Sequence, residues 1–291
     1  MEIALHLGAH LTDVSQMRGC LRDNADALGA QGVLIPNKRS FLNMMIDAAT
    51  QGMDSAYAPD FTDRLREVTG ADAQTRRLIL SAPGILASRP DITDGRNLYP
   101  DATARLAALR KLLGRHEVEL FFCIRNPATY IPAVLQSAKT DARKAIEKNL
   151  RSEELRWSPL IADMRLHWPE ASVTVWCDED TPFLWHQMLA RIAGCTPEGG
   201  FRNAYAWYDS IMIEGGAAKL ETYLTSAPPV DEAHRQKVIA AFLDKFCDEA
   251  KLDVDTSITD WDEGHLDLLS ALYEDDVDLI ASMDGVNLVQ P

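Results

Sequence analysis

Short apolar segments alternate with amphipathic ones over the first part of the chain. The apolar segments are rich in β-branched residues and alternate little with polar ones, which is typical of parallel strands buried on both faces. We predict strands at Ile3–Leu7, Val33–Ile35, Leu78–Leu80, Val118–Ile124 and Val173–Trp176. The segments between them are long enough for helices, so the pattern predicts an α/β fold with a central parallel sheet flanked by helices.

Apolar residues that recur every three or four positions predict the helices. Val14 to Leu28 is predicted to be one helix, closed by Gly32. The same spacing predicts helices at Leu98–Leu113, Leu155–His167, Phe183–Ala193, Ala218–Leu224, Asp231–Cys247 and Leu266–Met283. Nearly every element after Asp180 is a predicted helix, so residues 180–291 are expected to be a helical extension of a single domain spanning 1–291.

The first strand, its turn and the following helix start form the most informative segment, residues 3–16. A helix N-terminus after a strand presents free N–H groups and a positive dipole end to an anion. Phosphate-binding loops normally add a lysine, but this loop has Leu11 and Asp13. Asp13 is expected to cap the helix instead. The segment therefore predicts the shape of an anion site without most of its charge.

Charge and composition exclude several classes of function. The net charge of −15 argues against nucleic acid and anionic membrane surfaces as partners. The apolar runs are too short to span a bilayer, and no basic leader is visible, so a cytoplasmic protein is expected. The 5 cysteines lack paired CxxC spacing, which predicts free thiols and no zinc site.

Two sequence landmarks resemble the sulfotransferase family, especially its bacterial carbohydrate-type members. One is the loop that begins His6-Leu7-Gly8-Ala9-His10, and the other is Arg125-Asn126-Pro127 at the end of a strand. The resemblance implies a P-loop-like fold and sulfuryl transfer from the donor PAPS to a hydroxyl of a carbohydrate or other small-molecule acceptor. It also implies donor contacts at Gly8, Ala9, His10, Thr12, Ser15 and Arg125, the last of these to the 3′-phosphate.

The sequence departs from the family at positions that carry charge or hydroxyl groups there. The family's lysine, glycine, two threonines and later serine fall on Leu11, Asp13, Val14, Ser15 and Ala133, with Ser137 one helical turn beyond. The segment Ser81-Ala82-Pro83 lacks the glutamate that often serves as base. A charge-assisted phosphate contact contributes on the order of 1.5–3 kcal/mol, so these losses predict very slow transfer.

Two functions therefore stay open. The chain is either a sulfotransferase in which His10 acts as general base, or a catalytically inactive binding or interaction protein with a degenerate donor site. His6 and His10 would otherwise only hydrogen-bond around the loop, and with Asp13 they match no metal-binding signature. A homodimer is compatible with either function.

Several charged residues also have two interpretations. Arg125 binds a phosphate or pairs with a carboxylate, and Lys38-Arg39 lies on the ligand side of the sheet or is solvated. Asp178-Glu179-Asp180 caps the helix that starts at Thr181-Pro182 or faces a cleft. Glu274-Asp275-Asp276 is predicted to be a solvated run of helix charges.

Overall fold

The centre of the molecule is a sheet of six strands in the order β2-β3-β1-β4-β5-β6, and every neighbouring pair is parallel. The structure, a computed structural model, describes residues 1–12, 14–36, 40–51, 58–95, 97–150 and 155–291. The strands are β1 (Glu2–His6), β2 (Val33–Leu34), β3 (Arg77–Ser81), β4 (Glu117–Ile124), β5 (Ser172–Cys177) and β6 (Val286–Val289). The α/β fold with a parallel sheet is confirmed, and all five predicted strands are present.

The sixth strand is missing from the sequence-based prediction. Val286–Val289 is short and pairs with β5 alone, at the edge of the sheet. Its burial alternates instead of forming a continuous apolar run, so the pattern that identified the central strands does not detect it.

Helices cover both faces of the sheet. They are α1 (Val14–Asp23), α2 (Ala25–Gly29), α3 (Ser40–Gln51), α4 (Ala58–Thr69), α5 (Ala102–Leu113), α6 (Pro127–Ser137), α7 (Thr140–Asn149), α8 (Ser158–His167), α9 (Thr181–Ala193), α10 (Gly216–Ser226), α11 (Glu232–Phe246), α12 (Glu249–Leu252) and α13 (Glu263–Ala281). Everything after Asp180 except β6 is helix, turn or loop, as predicted. Among the described residues, no helix is both long and apolar enough to cross a membrane.

The predicted helix from Val14 to Leu28 is interrupted at Asn24. The Asn24 side chain is fully buried, and its Nδ2 donates to the carbonyl oxygens of Cys20, at 2.8 Å, and Arg202, at 3.0 Å. Its Oδ1 accepts from the Arg202 N–H, at 2.8 Å. The periodicity could not reveal this break because the partner lies in a distant loop.

Alternate side chains of the strands enter two separate hydrophobic cores. Ile3 and Leu5 lie in the core beneath α5, α6 and α8, whereas Ala4 lies in the core beneath α1 and α9. Because both faces of the central strands are buried, the sequence there is apolar at nearly every position.

The Glu274-Asp275-Asp276 run is only partly solvated, which corrects the prediction. Asp276 is fully buried, and its Oδ2 accepts from the N–H groups of Trp157, at 2.6 Å, and Ser158, at 3.0 Å. These N–H groups lie at the start of α8, so a carboxylate from α13 caps another helix.

Candidate functional site

The candidate site lies beyond the carboxyl ends of β1 and β4, the two central strands. The chain leaves β1 towards β2 on one side of the sheet and leaves β4 towards β5 on the other. Open α/β sheets bind ligands at such a switch point. Residues 7–12 follow β1 and Arg125 follows β4, and Arg125 Nη1 donates to the Leu11 carbonyl at 3.2 Å. The structure therefore brings the two halves of the predicted site together.

The first half of the loop continues to pair with β4. Leu7 and Gly8 donate their N–H groups to the Phe121 carbonyl, at 2.9 and 3.5 Å, and Ala9 donates to Cys123 at 3.0 Å. The N–H groups of Gly8 and Ala9, which were predicted to contact a donor phosphate, thus have partners within the fold. A ligand at this point would have to compete with these hydrogen bonds.

The second half of the loop turns towards α1. Leu11, at the position of the family's lysine, has a left-handed backbone with φ of 59°. Thr12 is buried, and its hydroxyl donates to the Ala9 carbonyl at 3.0 Å. Ser15 is exposed on the first turn of α1, where its hydroxyl donates to the side chain of Gln16. Asp13, with its predicted cap, lies outside the described residues.

His10 is held by a buried tyrosine that the sequence analysis did not single out as a site residue. The Tyr99 hydroxyl accepts from the His10 N–H at 2.9 Å and lies 2.6 Å from Nδ1 of the same residue. The Tyr130 hydroxyl lies 3.1 Å from the Tyr99 hydroxyl. Burial lowers the pKa of His10 to about 4 and raises the pKa of Tyr99 to about 12. All three groups are therefore uncharged at neutral pH.

This chain of hydrogen bonds has two possible directions. If Tyr130 donates to Tyr99 and Tyr99 donates to Nδ1 of His10, then Nε2 of His10 carries the proton. If Nδ1 donates to Tyr99 and Tyr99 donates to Tyr130, then Nε2 keeps a lone pair. Only the second arrangement gives His10 the acceptor that a general base needs.

A second cation besides Arg125 is Arg89, which lies in the segment after β3 and acts on His10 through its charge. Arg89 is exposed, its charge helps to lower the pKa of His10, and its Nη1 donates to the Ser137 carbonyl at 3.5 Å. Ser137 itself is no direct substitute for the family's serine, because its hydroxyl donates to Val134 within its own helix. Ala133, at the serine position, is half-buried on α6. Sequence reasoning missed Arg89 because it belongs to none of the motifs.

The Arg125 guanidinium contacts three other groups of the protein. Besides the Leu11 carbonyl, its guanidinium contacts the Thr129 hydroxyl at 3.3 Å and Asp178 Oδ2 at 3.8 Å. The side chains of Arg125 and Asp178 are only 19% and 13% exposed. The structure therefore brings Arg125 together with a carboxylate at the point where the resemblance implies a phosphate.

Asp180, the last residue of the acidic run Asp178-Glu179-Asp180, does not cap α9 with its side chain, which corrects the capping interpretation at that residue. Asp180 precedes the helix, but its side chain makes no capping hydrogen bond. Glu179 instead accepts from the Asn126 N–H at 2.8 Å and from the Tyr273 hydroxyl at 3.0 Å. The acidic run directly follows β5, and β5 lies beside β4 in the sheet, so the run begins next to the end of β4.

Buried polar atoms without partners lie beneath the loop, on the face that packs against α1 and α9. His6 Nε2, Ser81 Oγ and Trp176 Nε1 have no hydrogen-bond partner among the described residues. His6 and Ser81 are neighbours in register, and the rings of His6 and Trp176 are 5.7 Å apart. A buried polar group that loses water without gaining a partner costs about 1–3 kcal/mol, so a polar molecule that reached these atoms would be stabilised.

Within the described ranges, no group of three or more His, Cys, Asp or Glu side chains is placed to hold a metal ion. All 5 cysteines are free thiols, and Cys20, Cys123 and Cys177 are buried. Lys38 and Arg39 lie outside the described residues, so both interpretations of this pair stay predictions. Comparisons with family models, curated proteins and solved structures find no match to this chain.

Proposed function

We propose that the chain is a sulfotransferase-like binding protein that has lost sulfuryl transfer. The observation that carries this proposal is the set of partners around Arg125. Its guanidinium is shared among the Leu11 carbonyl, the Thr129 hydroxyl and the Asp178 carboxylate. The cation that would hold the 3′-phosphate of PAPS instead joins the loop to the end of β5.

Electrostatics oppose a phosphate in this place. Two unit charges 4 Å apart interact by about 4 kcal/mol at an effective dielectric constant near 20. A phosphate on Arg125 would lie close to Asp178 and experience a repulsion of that order, which cancels much of its attraction to Arg125, and Leu11 contributes no further positive charge. The crevice therefore favours a ligand with little negative charge.

The unpartnered atoms beneath the loop support a binding role. His6 Nε2, Ser81 Oγ and Trp176 Nε1 offer hydrogen bonds without a formal charge, since burial lowers the pKa of His6 to about 3. We propose that the ligand of the crevice is a small, uncharged, polar molecule. A sugar hydroxyl or an amide has suitable chemistry.

Calorimetry with the bisphosphate that PAPS leaves after transfer tests the proposal. We expect no binding to the wild-type protein at millimolar concentration. The variant Leu11→Lys with Asp13→Gly should gain weak binding, and adding Asp178→Asn should strengthen it by about tenfold, because one repelling charge is removed. Leu166→Lys adds the same charge at an exposed position and serves as control. Micromolar binding by the wild type would contradict the proposal.

The alternative function is sulfuryl transfer with His10 as general base. It is favoured by the 2.6 Å contact between Tyr99 and Nδ1 of His10, since one direction of that hydrogen bond leaves Nε2 as an acceptor. Transfer of labelled sulfate from PAPS to a glycan, lost in His10→Gln and retained in His234→Gln, would establish it. His234 is an exposed residue on α11 and controls for the substitution itself.

A further inference from the structure

A second cleft, of about 950 Å³, lies on the side of the molecule that α9 covers. Its walls are the outer face of α9, the loop after that helix, and the segment that joins α10 to α11. The cleft follows α9 as far as Gly194 and Cys195, beyond the end of the helix. A volume of this size suits a small organic molecule.

Two buried polar atoms in the wall of this cleft lack partners. His186 Nε2 and Glu232 Oε1 have no hydrogen-bond partner among the described residues. The other carboxylate oxygen of Glu232 accepts from Arg235 Nε at 3.2 Å, and Arg235 Nη1 donates to the Tyr205 hydroxyl at 3.1 Å. The ring of Tyr205 lies 4.8 Å from that of His186. The wall is thus an ordered polar cluster with capacity for further hydrogen bonds.

The charge of the cleft is opposite to that of the chain. Arg191 and Arg235 line it, with Glu232 as the one acidic residue in its described lining, whereas the whole chain carries −15. The Arg191 side chain is exposed and makes no hydrogen bond to a described residue. The charges of Arg76 and Arg77 also reach Cys195, where they lower the thiol pKa against the larger, raising effect of burial. Because Arg235 is paired with Glu232, Arg191 is the cationic side chain of the described lining that is open to an anion.

The apolar part of the lining consists of rings. Phe201 and Tyr205 lie on one side, and Pro228 and Pro229 lie on the segment opposite. Aromatic and proline rings bind flat apolar groups with little loss of side-chain freedom. Burial lowers the pKa of His186 to about 3, so this side chain adds a hydrogen bond without a charge.

We propose that this cleft binds a small organic anion, namely a planar ring that carries a carboxylate or a phosphate group. The oxyanion contacts the guanidinium group of Arg191, and the ring lies against Phe201 and Tyr205. Glu232 Oε1 accepts a hydrogen bond from a hydroxyl or amine on the same ligand. This site is independent of the switch-point crevice and of the function proposed for it.

Calorimetry with four probes tests the chemistry. Benzoate and phenyl phosphate carry both the ring and the oxyanion, benzamide carries the ring alone, and inorganic phosphate carries the anion alone. We expect the first two to bind at least about fivefold more tightly than the last two. Equal affinity for benzoate and benzamide, or no binding of either ring anion up to about 10 mM, would overturn the proposal.

Charge variants test the residues. Arg191→Gln removes an exposed guanidinium that has no hydrogen-bond partner among the described residues, and it should weaken phenyl phosphate binding by about fivefold to tenfold. Arg143→Gln removes the same charge from α7, whose buried Ile146 belongs to the opposite core, and should leave binding unchanged. An equal effect of both variants would show that only the overall charge matters, and would contradict the site.

Thiol alkylation tests the location. Cys195 lines the cleft, whereas Cys247 follows α11 and is absent from its described lining. Phenyl phosphate should slow iodoacetamide labelling of Cys195 at least about twofold and leave Cys247 unaffected, as measured by peptide mass spectrometry. Protection of neither thiol, or equal protection of both, would place the ligand elsewhere.

Discussion

At the scale of single residues, backbone strain is concentrated at the candidate site. Leu11 and Tyr99 both have left-handed backbones, with φ of 59° and 57°. A residue with a side chain in this conformation costs about 1–2 kcal/mol. The Leu11 carbonyl binds Arg125 and the Tyr99 hydroxyl binds His10, so hydrogen bonds across the site offset that cost.

Tyr99→Phe tests how much the shared hydroxyl contributes. The change keeps the ring but removes the partner of the His10 N–H and of the Tyr130 hydroxyl. We expect the free energy of unfolding to fall by about 1–3 kcal/mol, measured by urea denaturation. Tyr223→Phe, at an exposed tyrosine without a hydrogen bond to a described residue, should change it little. Equal effects would show that the Tyr99 hydroxyl is not structural.

At the scale of secondary structure elements, distant side chains decide where helices begin and end. Asn24 interrupts the first helical segment by binding Arg202, and Asp276 supplies the cap of α8 from α13. Neither effect follows a local propensity. Each joins an early element to a later one, so each position is expected to be sensitive to mutation.

Asn24→Ala tests the first of these joints. It removes three hydrogen bonds and leaves the Arg202 N–H without its partner. We expect a loss of about 2–3 kcal/mol in the free energy of unfolding. Gln31→Ala removes an exposed amide with one long contact of 3.5 Å and is the control. A loss below that of Gln31→Ala would contradict the role of Asn24.

Asp276→Ala tests the second joint. The N–H groups of Trp157 and Ser158 would lose their acceptor, so the thermal midpoint should fall, with a cost of about 1–2 kcal/mol. Asp276→Asn keeps an acceptor oxygen and should restore part of that loss. The adjacent, exposed Asp275→Ala should have no measurable effect. If Asp275→Ala and Asp276→Ala lowered the thermal midpoint equally, the loss would come from the negative charge of α13 and not from the cap on α8.

At the scale of the whole molecule, one buried cation joins the amino ends of the central strands to α9. Arg77 on β3 forms ion pairs with Glu2 of β1 and Glu119 of β4, and its Nε donates to the Ile192 carbonyl at 3.0 Å. This network lies near the amino ends of the strands, whereas the candidate site lies beyond their carboxyl ends.

Buried neutral histidines predict how stability depends on pH. Burial lowers the pKa values of His6 and His186 to about 3 and that of His10 to about 4, from an ordinary value of 6.5. Between these values the unfolded chain binds more protons than the folded protein. Each histidine therefore makes its full contribution to the free energy of unfolding above pH 6.5. As the pH falls below that value, this contribution decreases by about 1.4 kcal/mol per pH unit for each group.

Urea denaturation at pH 7 and pH 5 measures this decrease, and imidazole NMR signals identify its source. The signals of His6, His10 and His186 should not shift between these two values, while those of an unfolded reference should. Titration of these residues near pH 6.5 in the folded protein would contradict the prediction.

Part of the candidate site was predictable from the sequence. The loop after β1 and Arg125 after β4 are each recognisable locally, and parallel strands bring their carboxyl ends to one edge. Tyr99, Arg89 and Asp178 were not identified as partners of these residues. They belong to other segments, and neither periodicity nor a motif relates residues so far apart in the chain.

The layered α/β architecture follows from patterns along the chain alone. Burial on both faces requires continuous apolar runs in the central strands, and burial on one face requires the helical period. Both are local patterns, so five of the six strands were predicted without the structure.

The hydrogen-bond and ion-pair partners of the polar side chains depend on the folded arrangement of distant segments. The break at Asn24, the cap from Asp276 and the edge strand β6 depend on partners elsewhere in the chain. So does the pairing of Arg125 with Asp178. A hydrogen bond or ion pair forms where folding brings two groups within about 3–4 Å, and that distance is a property of the packed molecule.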